Sequence, residues 1–113
     1  MLRIHPEAER EWLRASDRYR DRGARAIARE FDQAVLALLR RIEEGPLAFE
    51  RHGLVAVQMP ARSLFFEVRK AVVPKVFPFV IFYYLRNGVP LVLAVAHAKR
   101  RPGYWLDRRF TDR

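Results

Sequence analysis

The 113-residue chain has no cysteine, which removes both a disulfide framework and thiolate chemistry. Its five glycines are scattered, so neighbours in sequence build no phosphate-cradling glycine loop. The three histidines, His5, His52 and His97, lack the spacing of a metal site, and no metal or cofactor is expected. No apolar run approaches the length of a membrane span. The opening residues, Met1 to Pro6, lack the apolar stretch of a secretory signal. These absences lead us to expect a cytoplasmic protein with no membrane association. Acidic residues are also short, but only in one half. Residues 62–113 hold 11 Lys/Arg against 3 Asp/Glu, whereas residues 1–61 hold 11 against 10.

Nearly all of the formal charge of +9 therefore belongs to the carboxy-terminal half. A one-sided basic field selects anionic partners: nucleic acid, a ribonucleoprotein or an acidic protein segment. The length allows one domain, residues 1–113, built on one core.

The apolar spacing organises the chain. Leu2 to His5 reads as a short edge strand, and Pro6 suits the first turn of a helix because its missing N–H is not needed there. Apolar residues then recur at Ala8, Trp12, Ala15 and Tyr19, at intervals of three and four. Glu7 just before them and Glu9, Arg10, Glu11, Arg14, Asp17 and Arg18 among them read as the solvated face. Gly23 marks the turn. A second helix places Ile27, Phe31, Ala34, Val35, Leu38 and Ile42 on one face, broadened by Leu36 and Leu39. Gly45-Pro46 stops it. A short connection makes the two helices an antiparallel pair.

Beyond Gly45 the period falls to two. His52 to Met59 reads as a connecting segment with weak strand character. Leu64–Lys70 alternates apolar and charged residues, and Phe77–Leu85 is strongly β-forming. Asn87-Gly88 is the preferred dipeptide of a type I′ hairpin. The return strand is Val89–Ala96, with Pro90 near its start. Pro102-Gly103 turns the chain away, and Tyr104–Phe110 forms a short helix or an irregular tail. The expected fold is α+β: a two-helix antiparallel hairpin packed on a three- to four-stranded antiparallel sheet.

The densest chemistry lies in His97–Arg109, which follows the apolar run Leu91–Ala96. His97 has the pKa range of a general acid or base. No partner carboxylate or nucleophile accompanies it at recognisable spacing, so a structural or partner-contacting role is favoured. Lys99, Arg100 and Arg101 suit phosphate or carboxylate groups, or simply solvate a turn. Tyr104 and Trp105 suit base stacking; we expect Trp105 inside, beneath the helices, and Tyr104 at the surface. Trp12, Tyr19, Phe31 and Leu38 are expected in the core. Leu64, Phe65 and Tyr84 are candidates for an exposed apolar docking patch. Together, His97, Arg100 and Tyr104 are the candidate catalytic residues. Arg69, Lys70, Lys75, Lys99, Arg100, Arg101, Tyr104, Arg108 and Arg109 are the candidate target-binding residues. The end of the final strand is expected to hold its imidazole, guanidinium and phenol, His97, Arg100 and Tyr104, together on an outward-facing platform.

These features together resemble the RelE/ParE superfamily of toxins from bacterial type II toxin–antitoxin systems, often called plasmid stabilisation proteins. The resembling residues are Pro6-Glu-Ala8, Ala28–Phe31, Gly45-Pro46, Phe77–Tyr83, Val92–His97, Arg100 and Pro102–Trp105. The segment from Val92 to Trp105 is the most specific. The resemblance implies a toxin neutralised by a co-encoded antitoxin, which would also set the oligomeric state. Relatives either poison DNA gyrase or cut messenger RNA on the ribosome without a metal. RNA-cutting relatives usually carry arginine where this chain has Val80, and a second active-site arginine matches Ala98. Tyr104 matches a tyrosine near their active site, and Arg69, Lys70 or Lys75 match their strand lysines loosely. The two missing arginines tilt the expectation toward gyrase or another undefined target. The alternatives are a metal-independent mRNA endonuclease and a family member that only binds its antitoxin.

Overall fold

A computed structural model describes residues 1–58, 63–74, 77–101 and 103–110, with backbone only at 55–58 and 63–64. Helix α1 spans Pro6–Asp21 and α2 spans Arg25–Glu44. Pro6 occupies the first turn of α1, and the N-cap is His5, whose side chain accepts the Glu7 N–H at 3.0 Å. Glu7 and Glu9 lie in the first turn, and Arg18 and Arg20 in the last, each complementing the helix dipole. Gly23 turns the chain at φ +74°, a backbone region that favours glycine. Gly45 closes α2, and Pro46–Ala48 forms a single 3-10 turn.

The sheet has five strands: β1 (Arg3–Ile4), β2 (Glu50–Gln58), β3 (Ser63–Val72), β4 (Phe79–Arg86) and β5 (Val89–His97). Their order is β1-β5-β4-β3-β2, with β1 parallel to β5 and every other pair antiparallel. The sheet is thus mixed and larger than the expected three or four antiparallel strands. The added strand is β2, which the sequence presents as a connection. Gly53 and the register shift between Arg51 and Gly53 interrupt its alternation. Asn87 (φ 52°) and Gly88 (φ 76°) make the β4–β5 hairpin turn, as the dipeptide predicts.

The helices cover one face of the sheet. Phe31, Val35, Leu38 and Ile42 of α2 and Ala8 and Ala15 of α1 pack with Phe77, Phe79, Ile81, Tyr83, Val92 and Val95. Trp12 and Tyr19 are partly buried against this core, and Trp12 donates to Asp32 at 2.9 Å, tying the helices together. Ile27 and Leu36, placed on the apolar side from spacing, are instead exposed.

A second cluster fills the opposite face. Val68, Phe82, Tyr84, Leu91, Leu93 and Ala96 are sealed there by Trp105, which stacks on Phe82 at 4.8 Å. Trp105 is buried as expected, but on the face away from the helices. Residues 103–107 form turns rather than a helix and carry the tail back across the sheet. Strand β5 therefore has protein on both faces, which explains its unbroken apolar run. The expected docking patch divides: Tyr84 is buried, Phe65 is exposed, and the Leu64 side chain lies outside the described residues.

Candidate functional site

Strand β1 is only two residues long, so β5 outruns it. The His5 N–H donates to Val92 O at 2.9 Å, and beyond this the edge of β5 has no strand partner among the described residues. Unpaired edge groups must be satisfied by other means. Here α1 and the tail supply them. The Val95 N–H donates to Glu11 Oε1 at 3.1 Å, and Arg108 Nη1 donates to Leu93 O at 2.8 Å.

Glu11 is the centre of the arrangement. It follows Ala8 by three residues and precedes Ala15 by four, all three buried on α1, so the helix turns its carboxylate onto the sheet. It therefore does not belong to the solvated face assigned from spacing. Arg108 grips it with both terminal nitrogens, Nη1 at 2.9 Å and Nη2 at 3.1 Å. Tyr104 Oη donates to it at 2.5 Å, and Arg100 Nη1 reaches it at 3.5 Å. The ion pair is largely dry, with side-chain exposures of 8% for Glu11 and 12% for Arg108. A buried, bidentate, charge-assisted pair of this kind is stiff and directional.

The tyrosine is enclosed as well. Arg100 Cζ lies 3.5 Å from its ring centroid, and Arg108 Cζ lies 5.1 Å away. Burial, followed by the hydrogen bond to Glu11 and its negative charge, pushes the Tyr104 phenol well above its ordinary pKa; the two arginines offset this in part. Tyr104 is thus a neutral phenol committed to an internal carboxylate.

His97 stands at the end of β5. Its Nδ1 accepts the Lys99 N–H at 3.1 Å, and its ring meets Phe79 edge-on at 5.2 Å. It borders two adjoining clefts between α1 and the sheet, of about 230 and 210 Å³. The first is also lined by Glu11, Arg14, Arg18, Arg100 and Tyr104, and the second by Arg18, Tyr19 and Arg22.

The remaining expected site residues disperse. Arg69 is turned inward: it donates to Phe49 O at 2.7 Å and to Glu67 at 2.7 Å, and its side chain is 11% exposed. Lys70 pairs with Glu50 at 3.8 Å. It aligns with Phe82, whereas His97 aligns with Phe79. That register separates Lys70 and His97 by two strands and about three residues, roughly 14 Å of backbone. Lys99, Arg101 and Arg109 are exposed, and Lys75 lies outside the described residues. His97, Arg100 and Tyr104 line one cleft, but Tyr104 is turned onto the internal carboxylate of Glu11 rather than outward. Arg108 faces the same carboxylate, and among the described candidates Lys99, Arg100, Arg101 and Arg109 are exposed. Sequence reasoning missed Glu11, Arg14, Arg18 and Arg22. The available signal for Glu11 was a carboxylate at a core-facing position of an amphipathic helix.

A family model described as the ParE toxin of the type II toxin–antitoxin system, parDE, matches residues 2–102. No curated protein and no solved structure matches the chain.

Proposed function

Because the chain belongs to the ParE toxin family of type II toxin–antitoxin systems, we propose that it acts in the cytoplasm by binding a protein target, DNA gyrase, rather than by cutting RNA. The observation that carries this reading is the saturation of the Tyr104–Arg108 cluster by Glu11. Metal-independent RNA cleavage requires cations on the scissile phosphate and a proton-transfer group with a pKa near the working pH. Arg108 instead grips a buried carboxylate and the β5 edge. Tyr104 has a raised pKa, which makes it a poor base or acid near neutrality. His97 has one nitrogen engaged by backbone and is separated from Lys70. Neither Val80 nor Ala98 supplies the cation that the resemblance to RNA-cutting relatives implies at these positions.

A surface that recognises a folded protein requires none of this chemistry. It requires a rigid scaffold with exposed charge, and Lys99, Arg100 and Arg101 at the β5 turn supply that. The test is induction of the chain alone, followed by two assays on purified material. Growth arrest with inhibition of gyrase supercoiling, and intact messenger RNA in a ribosome-containing extract, is the expected result. Codon-positioned RNA cuts that vanish with Tyr104→Phe would overturn the reading. Absence of growth arrest would instead mark a chain that only binds its antitoxin.

A further inference from the structure

The β5 side of the sheet is closed by β1, Glu11 and Arg108, and β1 itself is only two residues long. The β2 side is open. β2 is the outermost strand along all nine of its residues, Glu50–Gln58, and its outer edge has no strand partner among the described residues. An open edge is a template for another strand, and natural edges are usually blunted by charge, proline or a bulge. Here the bulge falls early, between Arg51 and Gly53. Beyond it, Gly53-Leu-Val-Ala-Val-Gln58 carries no charge and no proline.

Apolar surface lies beside this edge. Leu54 aligns with Glu67, and Ala56 with Phe65, so alternation puts Leu54 and Phe65 on one face. Each is 67% exposed. The described charges of the hairpin do not ask for an anionic partner: Arg51 and Arg69 pair with Glu67, and Lys70 with Glu50. The exposed basic turn, Lys99 to Arg101, follows β5 at the other side of the sheet. Two copies meeting at β2 hold these turns seven strand spacings apart, roughly 33 Å. That far exceeds the screening length of about 8 Å in physiological salt.

Two sources offer a pairing strand: another protein and a second copy of this chain. The second copy is favoured because each chain has one long open edge. An antiparallel pair of identical edges consumes both, so assembly stops at two. A two-fold at Val55 sets Gly53 against Val57 and Leu54 against Ala56 of the second copy, clear of the bulge. Opposed residues share a face in an antiparallel pair. Leu54 of one copy and Phe65 of the other then flank the small Ala56, and no charged residue meets its like.

We infer that β2 pairs antiparallel with β2 of a second copy, joining two sheets into one. The inference is independent of the toxin's target and adds a surface for self-association. The interface is small, so the expected dissociation constant is on the order of 10 μM, and the dilute chain keeps this edge open.

The test is sedimentation equilibrium of the intact chain over a concentration series, with amide hydrogen exchange at both ends of the series. The expected result is a reversible monomer–dimer equilibrium that added salt does not weaken, with the outer β2 amides protected only at high concentration. The double variant Leu54→Lys, Ala56→Lys sets lysine against lysine and should raise the dissociation constant at least about a hundredfold. Leu54→Glu, Ala56→Glu should do the same. Mixing the two should restore the dimer, because each lysine then meets a glutamate. Leu13→Lys, Leu36→Lys, altered at exposed helical positions, should associate as the parent does. A parent that stays monomeric at every concentration would overturn the inference and leave the edge to a strand of another protein. Species that grow beyond the dimer, equal losses in the edge and helix variants, or a lysine–glutamate mixture that stays monomeric would overturn it too. Exchange of the parent's β2 amides judges the inference even where a variant does not fold.

Discussion

At one edge of the sheet, β5 is finished by three separate pieces of chain: His5 at the end of β1, Glu11 on α1 and Arg108 in the tail. At the other edge, β2 stands outermost, and its hairpin with β3 leaves Leu54 and Phe65 each 67% exposed. Three of the ion pairs follow the same division. Glu11–Arg108 is dry and bidentate, whereas Arg51–Glu67 and Lys70–Glu50 lie in water. Charge placed where the helix and tail exclude solvent becomes architecture. The exposed hairpin pairs Arg51–Glu67 and Lys70–Glu50 are screened and contribute little, whereas Arg69 of β3 is held inward by Phe49 O and Glu67. The closed edge should therefore govern stability, and the open hairpin should tolerate change.

The sharpest way to break this comparison is Glu11→Ala. It strands Arg108 and uncaps the Val95 N–H, and should cost about 3–5 kcal/mol in urea unfolding. A loss below about 1 kcal/mol would mean that the carboxylate is solvated, like the exposed pairs. Trp105→Ala removes the side chain that seals the second face and should cost about 3–5 kcal/mol. It should also loosen the tail and weaken protection of the Val95 amide in hydrogen exchange, which would show that tail and edge form one unit.

Tyr83 tests the boundary between the two regions. Its hydroxyl donates to Pro46 O at 2.5 Å, linking β4 to the turn after α2. Tyr83→Phe should cost about 1 kcal/mol by thermal or chemical denaturation. Burial, partly offset by nearby Arg69, raises its pKa from 10.0 to about 12. The unfolded phenol ionises first, so this contribution is fully present below pH 10.0 and is lost as pH rises through about 12. The alkaline loss should shrink in Tyr83→Phe, leaving the part that the raised phenol of Tyr104 contributes.

A smaller effect is expected at His5. Burial, then the positive charge of Arg108, lowers its pKa below 6.5. Its Nδ1 must remain unprotonated to accept the Glu7 N–H. The unfolded state then takes up the proton first, so stability falls as pH drops through 6.5 and levels off below the folded value. His5→Asn retains a capping side chain and should flatten that slope. The smallest change is expected on the hairpin: Phe65→Ser should stay within about 0.5 kcal/mol. A larger loss would reveal a contact that closes the hairpin as well.

The sequence showed both helices, their stops at Gly23 and Gly45, the β4–β5 hairpin at Asn87-Gly88 and the buried run of β5. Each rests on local chemistry: spacing of apolar residues, a proline at a helix start, a dipeptide that accepts positive φ. It also placed Trp105 inside. It did not show β2, because the bulge before Gly53 breaks the alternation that identifies a strand. It did not show which face Trp105 covers, because a tail can fold to either side of a sheet. The candidate site was legible as a collection of residue types, not as a constellation. His97, Arg100, Tyr104 and Arg108 are neighbours in sequence, so their proximity was visible. Glu11, the common partner of Arg100, Tyr104 and Arg108, lies 97 positions from Arg108 and reads as one more acid on a charged helix. The sequence alone determined how much positive charge this protein carries and which segments bear it. Only the tertiary structure decided which of those charges meet a buried carboxylate and which remain free along α1, because that depends on the face each helix turn presents to the sheet.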